Sequence, residues 1–230
     1  QLISSAGLCY LFAKEINQAN KDLAHLAVIG MIGDMFEKNM SKLNNEIIKD
    51  AETIIKKGVL LYPSTRPLNR VLEFSSDPLI PGVTGNSQGV FQMLKEAKIE
   101  KINGKYKTLI ELDEEEMSRL STAIILKRVR NNYHNEIIGN IFLIKMFNKL
   151  EDVRELSAKI NAASRLGNPY MAILYCLEEV SSVKKIEELY VKYKQLIISG
   201  LNLVNETEKV EGKNYLIINA QEKIKDTIIG

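Results

Sequence analysis

The spacing of apolar residues in the first quarter of the chain predicts three helices. Residues 3–18 start with serines that can cap a helix, and Phe12 is expected to face the core. Residues 22–31 are apolar on nearly every side, which is typical of a buried helix. Residues 41–57 place their isoleucines on one stripe, and Gly58 stands where a C-terminal cap is expected.

The middle of the chain changes from this regular pattern to one rich in turn residues. Residues 59–89 hold four of the five prolines and give the best candidate for a linker or domain boundary. The segment is too apolar to be disordered, so we expect it to pack as an irregular connection with short helical turns. A helix is predicted at 87–98, and a hairpin follows with Asn103 and Gly104 at its turn. A helix is strongly predicted at residues 112–130, because acidic residues occupy its first turn and basic residues its last turn, which matches the helix dipole.

The last third of the chain is again mostly helical in pattern. Residues 139–147 are apolar enough for a strand or a short buried helix, and periodicity leaves both open. A helix at 151–166, a buried helix at 170–180 and a long amphipathic helix at 183–205 follow. Residues 214–220 indicate a buried strand. The predicted fold class is therefore α+β, mostly helical, with a few strands.

Composition narrows the class of protein without assigning a function. Apolar residues make up 45% of the chain and charged residues 26%, which is ordinary for a globular protein. The net charge of +2 gives no global case for nucleic-acid binding, so a basic surface must come from local clustering. No apolar run is long enough for a membrane span, and the start lacks a signal-peptide pattern. We expect a cytoplasmic piece of a longer protein, with Cys9 and Cys176 as buried reduced thiols.

Asp34 is the most informative acidic residue, because it ends an apolar run. A carboxylate at the C-terminal end of a helix meets the negative pole of the dipole, at a cost of about 0.3–1 kcal/mol. Desolvation beside Met31, Met35 and Phe36 would add to that cost. A divalent cation would offset both, since carboxylates are natural ligands for Mg²⁺ or Mn²⁺. From the spacing alone, capping of the next segment explains Asp34 better, and one carboxylate is not a metal site.

Other positions give weaker signals for binding an anion. Ser5 and Gly7 lie at a helix N-terminus, where backbone N–H groups can meet a phosphate, although tight packing and a cap explain them equally well. Arg66 lies between turn residues and could bind a phosphate, or bridge to a loop carbonyl. Arg165 and residues 127–130 could add a basic patch, although helix-terminal charge also explains the latter.

Neither histidine lies in a sequence pattern that is typical of a catalytic site. His25 lies inside an apolar helix and is expected to be a satisfied core residue, whereas His134 lies in a polar connection and is expected to be solvated. The chain contains no metal-binding, nucleophile or phosphate-loop motif of known spacing. No catalytic residue is assigned from the residues themselves.

Several segments resemble one known family. SSAGLCYLFAKEI followed by DLAHLAVIGMIGDM is similar to the last conserved motif of the DHH phosphoesterase superfamily, especially RecJ-like single-strand nucleases. KGVLLYPSTRPLNRVLEFSSDPLIPGVTG and INAASRLGNP resemble the archaeal branch, and NYLIINAQEKIKDTIIG resembles the start of the DHH-associated C-terminal domain. The resemblance implies an exonuclease of archaeal DNA replication or repair that cuts single-stranded DNA or RNA with two Mn²⁺ or Mg²⁺ ions. It also implies that Asp34 is a metal ligand.

The resemblance further implies a division into three parts. Residues 1–58 would be the C-terminal part of the DHH catalytic domain with its connecting helix, 59–205 a helical insertion domain, and 206–230 the start of the DHH-associated C-terminal domain. The remaining metal ligands would lie outside this chain, so we expect the chain alone to be inactive. Ser5, Gly7, Arg66 and Arg165 are the candidate nucleic-acid-binding residues.

The same resemblance leaves open a function without catalysis. Relatives use an inserted helical region to contact the GINS replication complex, so this chain could be chiefly an interaction module or scaffold. The amphipathic helices predicted at 112–130 and 183–205 could present a docking face. Plain core packing explains each individual helix better.

Overall fold

The chain folds into two units, residues 1–156 and 157–230. The computed structural model describes residues 3–38, 40–75, 78–133, 136–220 and 223–228. The fold is α+β and mostly helical, with small antiparallel sheets, as the sequence predicts. The division at 1–58, 59–205 and 206–230 remains a prediction, and the boundary between the two units lies inside its middle part.

The first two helices pack closely because small residues meet between them. Helix α1, Ser5–Ile16, is followed by a 3₁₀ helix and by α2, Ala24–Gly33. A Cβ atom added at Gly30 would lie 2.5 Å from the Cβ of Ala6, so the two helices approach closely at this point. The face of α1 that includes Ala6 therefore turns inward. The prediction that Phe12 faces the core is wrong, because its side chain is 68% exposed.

The predicted helix at 41–57 is wrong in its second half. Helix α3 spans Lys42–Asp50, and the chain then turns at Glu52, whose φ is 50°. Strand β1, Ile54–Val59, follows. The helical stripe of isoleucines continued into this segment, but β-branched residues also favour strands when a partner strand is available.

Gly58 lies inside β1 and is not a helix cap. It pairs with Gly139 of strand β4, Ile138–Met146. A Cβ atom added at Gly58 would lie 2.8 Å from the Sδ atom of Met117. Glycine at this position therefore allows close packing of a helix on the sheet.

The first unit contains a three-stranded antiparallel sheet. Its strand order is β1–β4–β5, where β5 is Lys149–Asp152. The segment 139–147, which fitted either a strand or a helix, is thus mainly the central strand β4. Phe147 and Asn148, with φ of 51° and 57°, form the two-residue turn between β4 and β5.

The turn-rich segment 59–89 supplies core residues and is not a linker. It contains helix α4, Leu68–Glu73, and leads into α5, Ser87–Glu96. The buried core between the sheet and the helices of this unit includes the following side chains: Val59, Leu61, Leu68, Val71, Leu72, Ile80, Val83, Val90, Met93, Leu94, Leu109, Leu120, Ile124 and Ile141. The prolines here shape an irregular but packed connection.

The hairpin and the strong central helix are where the sequence predicts them. Strands β2, Lys101–Ile102, and β3, Lys105–Tyr106, pair across a turn in which Asn103 and Gly104 have φ of 50° and 77°. A 3₁₀ helix, Leu109–Glu111, precedes α6, Glu114–Val129. Helix α6 begins with a capping box between Asp113 and Glu116.

The second unit consists mainly of helices. Helix α7, Val153–Arg165, begins in the first unit and continues into the second, where α8, Pro169–Cys176, and α9, Val180–Glu206, follow. The predicted burial of the helix at 170–180 is wrong for most of its large side chains, including Tyr170, Ile173 and Leu177.

The end of the second unit is a two-stranded sheet followed by a 3₁₀ helix. Strands β6, Lys209–Gly212, and β7, Tyr215–Ile218, pair so that Val210 lies opposite Ile217. The predicted strand at 214–220 is present, but most of its apolar side chains are exposed rather than buried. The 3₁₀ helix spans Asp226–Ile228.

The burial of the two cysteines also differs from the prediction. Both are free thiols, but Cys9 is exposed and Cys176 is half-buried. Cys9 borders a shallow apolar cavity together with Leu26 and Ala27 of α2. Among the described residues, no helix has the length and apolarity required to cross a membrane.

Candidate functional site

Asp34 lies at the point where α2 ends. Its N–H donates to the Gly30 carbonyl at 3.0 Å, and the next residue, Met35, takes a left-handed φ of 60°. The Met35 N–H then donates to the Ile32 carbonyl at 3.1 Å. These bonds are those of a left-handed helix ending, which fixes where the Asp34 backbone stands.

The environment of Asp34 is more open than the sequence suggested. Asp34 and Met35 are exposed, and Phe36 is only half-buried, whereas Met31 is fully buried. The expected desolvation of the carboxylate is therefore wrong. The α2 helix turns Met31 inward and leaves its last turn at the surface, so the apolar run ends before Asp34.

The Asp34 carboxylate has no hydrogen bond or ion pair with any other residue that the structure describes. The capping alternative therefore receives no support within those residues. They also contain no group of three or more histidine, cysteine, aspartate or glutamate side chains that could hold a metal ion. Asp34 can supply one carboxylate to a cation, but the described residues do not complete a site around it.

The turn that follows Asp34 is anchored by a charged pair. Glu37, in the 3₁₀ helix Phe36–Lys38, accepts a hydrogen bond from the Arg154 guanidinium. The same guanidinium lies 4.5 Å from the centre of the Tyr62 ring, an attractive cation–π geometry. Glu37 is nearly buried, so this pair connects the Asp34 turn to the start of α7.

Asp152 is the buried centre of a polar network next to that pair. Its Oδ2 accepts hydrogen bonds from the Ser64 N–H at 2.8 Å and from the Ser64 hydroxyl at 2.5 Å. Its Oδ1 accepts from the Arg154 N–H at 2.9 Å. Burial raises the pKa of the Asp152 carboxyl above its usual range, and the bonds from Ser64 oppose that rise.

Arg66 belongs to the same neighbourhood. Its guanidinium donates to the carboxylate of Glu155, which is buried, while 48% of the Arg66 side chain remains exposed. One partner of Arg66 is thus a carboxylate of α7, a contact that the sequence did not suggest.

Ser5 and Gly7 lie at the start of α1, where the helix is already capped. The Ser4 hydroxyl accepts a hydrogen bond from the Gly7 N–H at 3.0 Å. Gly7 is buried, and a Cβ atom added there would lie 3.1 Å from the Cδ1 atom of Ile47. This arrangement fits the packing and capping explanation, whereas Ser5 is exposed.

Arg165 is bonded within the second unit. Its Nε donates to the Asn161 side chain at 3.2 Å, and its Nη1 donates to the Thr227 carbonyl at 2.7 Å. It therefore links the end of α7 to the 3₁₀ helix at Asp226–Ile228. The structure places Arg66 and Asp34 in the other unit.

The two histidines contribute differently. The His25 Nδ1 lies 2.9 Å from the Asp22 carbonyl, which can only accept, so Nδ1 donates this hydrogen bond. The His25 Nε2 is buried without a partner among the described residues, so the expected satisfied core histidine is only half satisfied. His134 lies outside the described residues.

Sequence reasoning missed Asp152, Arg154 and Glu37. Asp152 and Arg154 flank the start of α7, and the sequence shows only a charged helix beginning there. Their partners Ser64 and Glu37 lie 88 and 117 residues away along the chain. No local pattern marks such pairs; the unusual Pro-rich segment around Ser64 was the one available signal.

Comparison with known proteins gives a match for part of the first unit. Residues 61–142 match the DHH-CID domain. An uncharacterised protein of Methanocaldococcus jannaschii is 29% identical over 215 residues, which cover 92% of this chain and 45% of that relative. These matches support membership of the DHH superfamily. The chain spans less than half the length of the curated relative.

The general chemistry of the DHH superfamily is known in outline. Its members are generally phosphoesterases that depend on divalent metal ions. The match begins at Leu61, two residues after the end of β1, and ends at Phe142, within β4. It therefore includes Ser64 and Arg66 of the polar network, whereas Asp34 lies before it.

Proposed function

We propose that this chain contributes Asp34 to the two-cation site of a DHH phosphoesterase that degrades single-stranded DNA or RNA. The observation that carries the proposal is the Asp34 carboxylate, which is exposed and has no partner among the described residues. Its backbone is fixed by the ending of α2 and by the anchored turn at Glu37. A ligand held on a rigid element suits a metal site.

The electrostatics of the helix end also favour a cation. The last carbonyls of α2 present a partial negative charge, and Asp34 adds a full one at the same place. When bound, a pair of Mn²⁺ or Mg²⁺ ions supplies charge neutralisation and an activated water for attack on phosphorus. In this proposal Asp34 occupies one coordination position, and residues beyond these 230 supply the others.

The direct test uses the longer parent protein that contains this chain. Asp34→Asn keeps the size of the side chain but removes the charge that a cation needs. With Mn²⁺ and an end-labelled single-stranded oligonucleotide, we expect the cleavage rate to fall on the order of a hundredfold or more. Asp22→Asn, at another exposed aspartate of the same region, is the matched control and should retain the parent rate. Equal rates for Asp34→Asn and the parent would refute the assignment.

Arg66 is proposed to contact the nucleic acid in addition to Glu155. Nearly half of the Arg66 side chain is exposed, and a guanidinium is suited to donate to a phosphate. Arg66→Lys keeps the charge but loses the planar fork, so we expect weaker binding of single strands with little loss of stability. Unchanged affinity in a fluorescence anisotropy titration would assign Arg66 to structure alone. Ser5, Gly7 and Arg165 remain predicted nucleic-acid contacts.

A second candidate function is that of an interaction module for the GINS replication complex. The observation that favours it is the exposed apolar edge of α6, formed by Ile125, Leu126 and Val129. Apolar side chains left at the surface of a helix are typical of helix-mediated docking. Leu126→Glu with Val129→Glu should abolish capture of purified archaeal GINS, and the absence of any capture by the native chain would remove this candidate.

A further inference from the structure

One short segment of the chain carries a local excess of positive charge. Residues 95–107, KEAKIEKINGKYK, contain five lysines and two glutamates, an excess of three positive charges. The whole chain has a net charge of +2, so all remaining residues together sum to −1. A local excess of this kind gives an electrostatic surface that the overall charge conceals.

The structure places this segment beside an open cleft. The β2–β3 hairpin borders a cleft of about 460 Å³ whose lining includes Pro67, Ile102, Lys105 and Tyr106. The wall is fixed by backbone bonds, because the Leu68 N–H donates to the Lys107 carbonyl at 3.0 Å. The cleft is therefore a formed surface feature and lies entirely within the first unit.

The lysines of the hairpin and of the cleft differ in their ion pairing. Lys107 is paired, since its Nζ lies 2.7 Å from both carboxylate oxygens of Glu116. The acidic residue of the cleft, Glu111, accepts from the Thr108 N–H and hydroxyl at 2.7 and 2.9 Å. Lys101 and Lys105 are exposed and form no ion pair with the residues that the structure describes.

An aromatic ring lies beside one of these two lysines. The Lys101 ammonium lies 4.9 Å from the centre of the Tyr106 ring, in a cation–π contact. Tyr106 is half-buried, so its ring is held by its surroundings, and the neighbouring Ile102 is 56% exposed. Exposed cations beside an aromatic ring are the combination that binds single-stranded nucleic acids without sequence preference.

We propose that the cleft beside the β2–β3 hairpin binds single-stranded polynucleotide, with Lys101 and Lys105 on phosphates and Tyr106 stacked on a base. In the bound state the base takes the place of the Lys101 ammonium on the ring, and the ammonium moves to a phosphate. The choice of a polynucleotide over another polyanion rests on the proposed function. Binding here does not require cleavage.

The test measures binding of a fluorescein-labelled oligothymidylate to the 230-residue chain in EDTA, which prevents metal-dependent cleavage. Affinity should fall with rising salt, because lysine–phosphate contacts release counterions. Lys101→Gln with Lys105→Gln should weaken binding and reduce the slope of log K against log salt by about 1.4, or roughly 0.7 for each contact. Lys42→Gln with Lys49→Gln, at exposed lysines of α3, is the matched control and should change neither quantity.

Substitution of the ring separates a polynucleotide site from a general polyanion site. Tyr106→Leu should weaken binding about fivefold or more, whereas Tyr106→Phe keeps the stacking surface and should retain the affinity. Far-UV circular dichroism of each variant confirms that it is folded. If Tyr106→Leu has no effect and heparin competes as well as the oligonucleotide, the site binds polyanions in general and the proposal is wrong.

Two further outcomes would also overturn the proposal. The first is the absence of binding at low salt, and the second is an equal loss of affinity in the α3 control. Failure of the proposed function has a different signature. Asp34→Asn would then leave cleavage by the parent protein intact, whereas the effects of the hairpin variants in EDTA would persist.

Discussion

Removal of the Ser64 hydroxyl should destabilise the protein by an amount that depends on pH. Ser64 is fully buried, and its hydroxyl donates to the Oδ2 of buried Asp152 at 2.5 Å. A hydrogen bond to a charged group contributes about 1.5–3 kcal/mol, and one between neutral groups about 0.5–1.5 kcal/mol. Ser64→Ala should therefore cost about 2 kcal/mol when Asp152 is ionised and about 1 kcal/mol when it is protonated.

The direction of the pH dependence follows from the pKa of Asp152. Burial raises this pKa in the folded protein above its value in the unfolded chain. The folded state then binds more protons between the two pKa values, so stability falls as pH rises through that interval. Loss of the Ser64 hydroxyl raises the folded pKa further and extends the fall to higher pH. The difference between the native protein and Ser64→Ala should grow as pH increases.

Urea unfolding followed by far-UV circular dichroism, at about pH 4 and pH 7, measures this difference. Ser75→Ala provides the matched control, because Ser75 is also buried and its hydroxyl donates to a neutral acceptor, the Pro78 carbonyl, at 2.7 Å. The cost of Ser75→Ala should be the same at both pH values. A cost of Ser64→Ala that is equal at the two pH values, or larger at the lower one, would refute the role assigned to the ionised Asp152.

Three further substitutions test other parts of the fold. Gly30→Ala places a Cβ atom 2.5 Å from that of Ala6 and should lower stability by about 1–3 kcal/mol, measured as a lower Tm. Arg154→Met leaves nearly buried Glu37 without this partner and should lower the free energy of unfolding by about 3 kcal/mol. Adding Glu37→Gln to Arg154→Met should recover part of that loss. If the losses of the two single variants simply add in the double variant, the two residues do not interact. Burial raises the pKa of Tyr10 to about 12, so its contribution to stability is lost as pH rises from about 10 to 12. Between about pH 10 and pH 12, Tyr10→Phe should therefore lose less stability than the native protein, as measured by urea unfolding at each pH. An equal loss in the two proteins would show that ionisation of Tyr10 does not cause the decrease.

Local features of the fold could be predicted from the sequence because each depends on residues close together in the chain. The Asp113 cap and Glu116 interact across one helical turn. The hairpin at Asn103 and Gly104 needs only the positive φ that these two residues adopt readily. The helix predicted at 22–31 is present as α2, Ala24–Gly33, two residues further along the chain.

Features that depend on distant partners could not be predicted in this way. The segment beginning at Ile54 has a helical spacing of isoleucines but forms a strand, because β4 lies beside it and pairs Ile54 with Leu143. The burial of α1 was also misjudged. The small residues Ala6 and Gly30 bring the two helices together and leave the larger Phe12 at the surface.

The candidate site shows the same difference between local features, which the sequence predicts, and features that depend on distant partners. The sequence by itself identified Asp34 and Arg66 as unusual, because an acid after an apolar run and an arginine among turn residues are visible locally. Only the tertiary structure decided that Asp34 is exposed and that Arg66 meets Glu155, 89 residues away. Caps and turns are set by bonds within a few residues, whereas burial and ion pairing depend on which distant segments pack together.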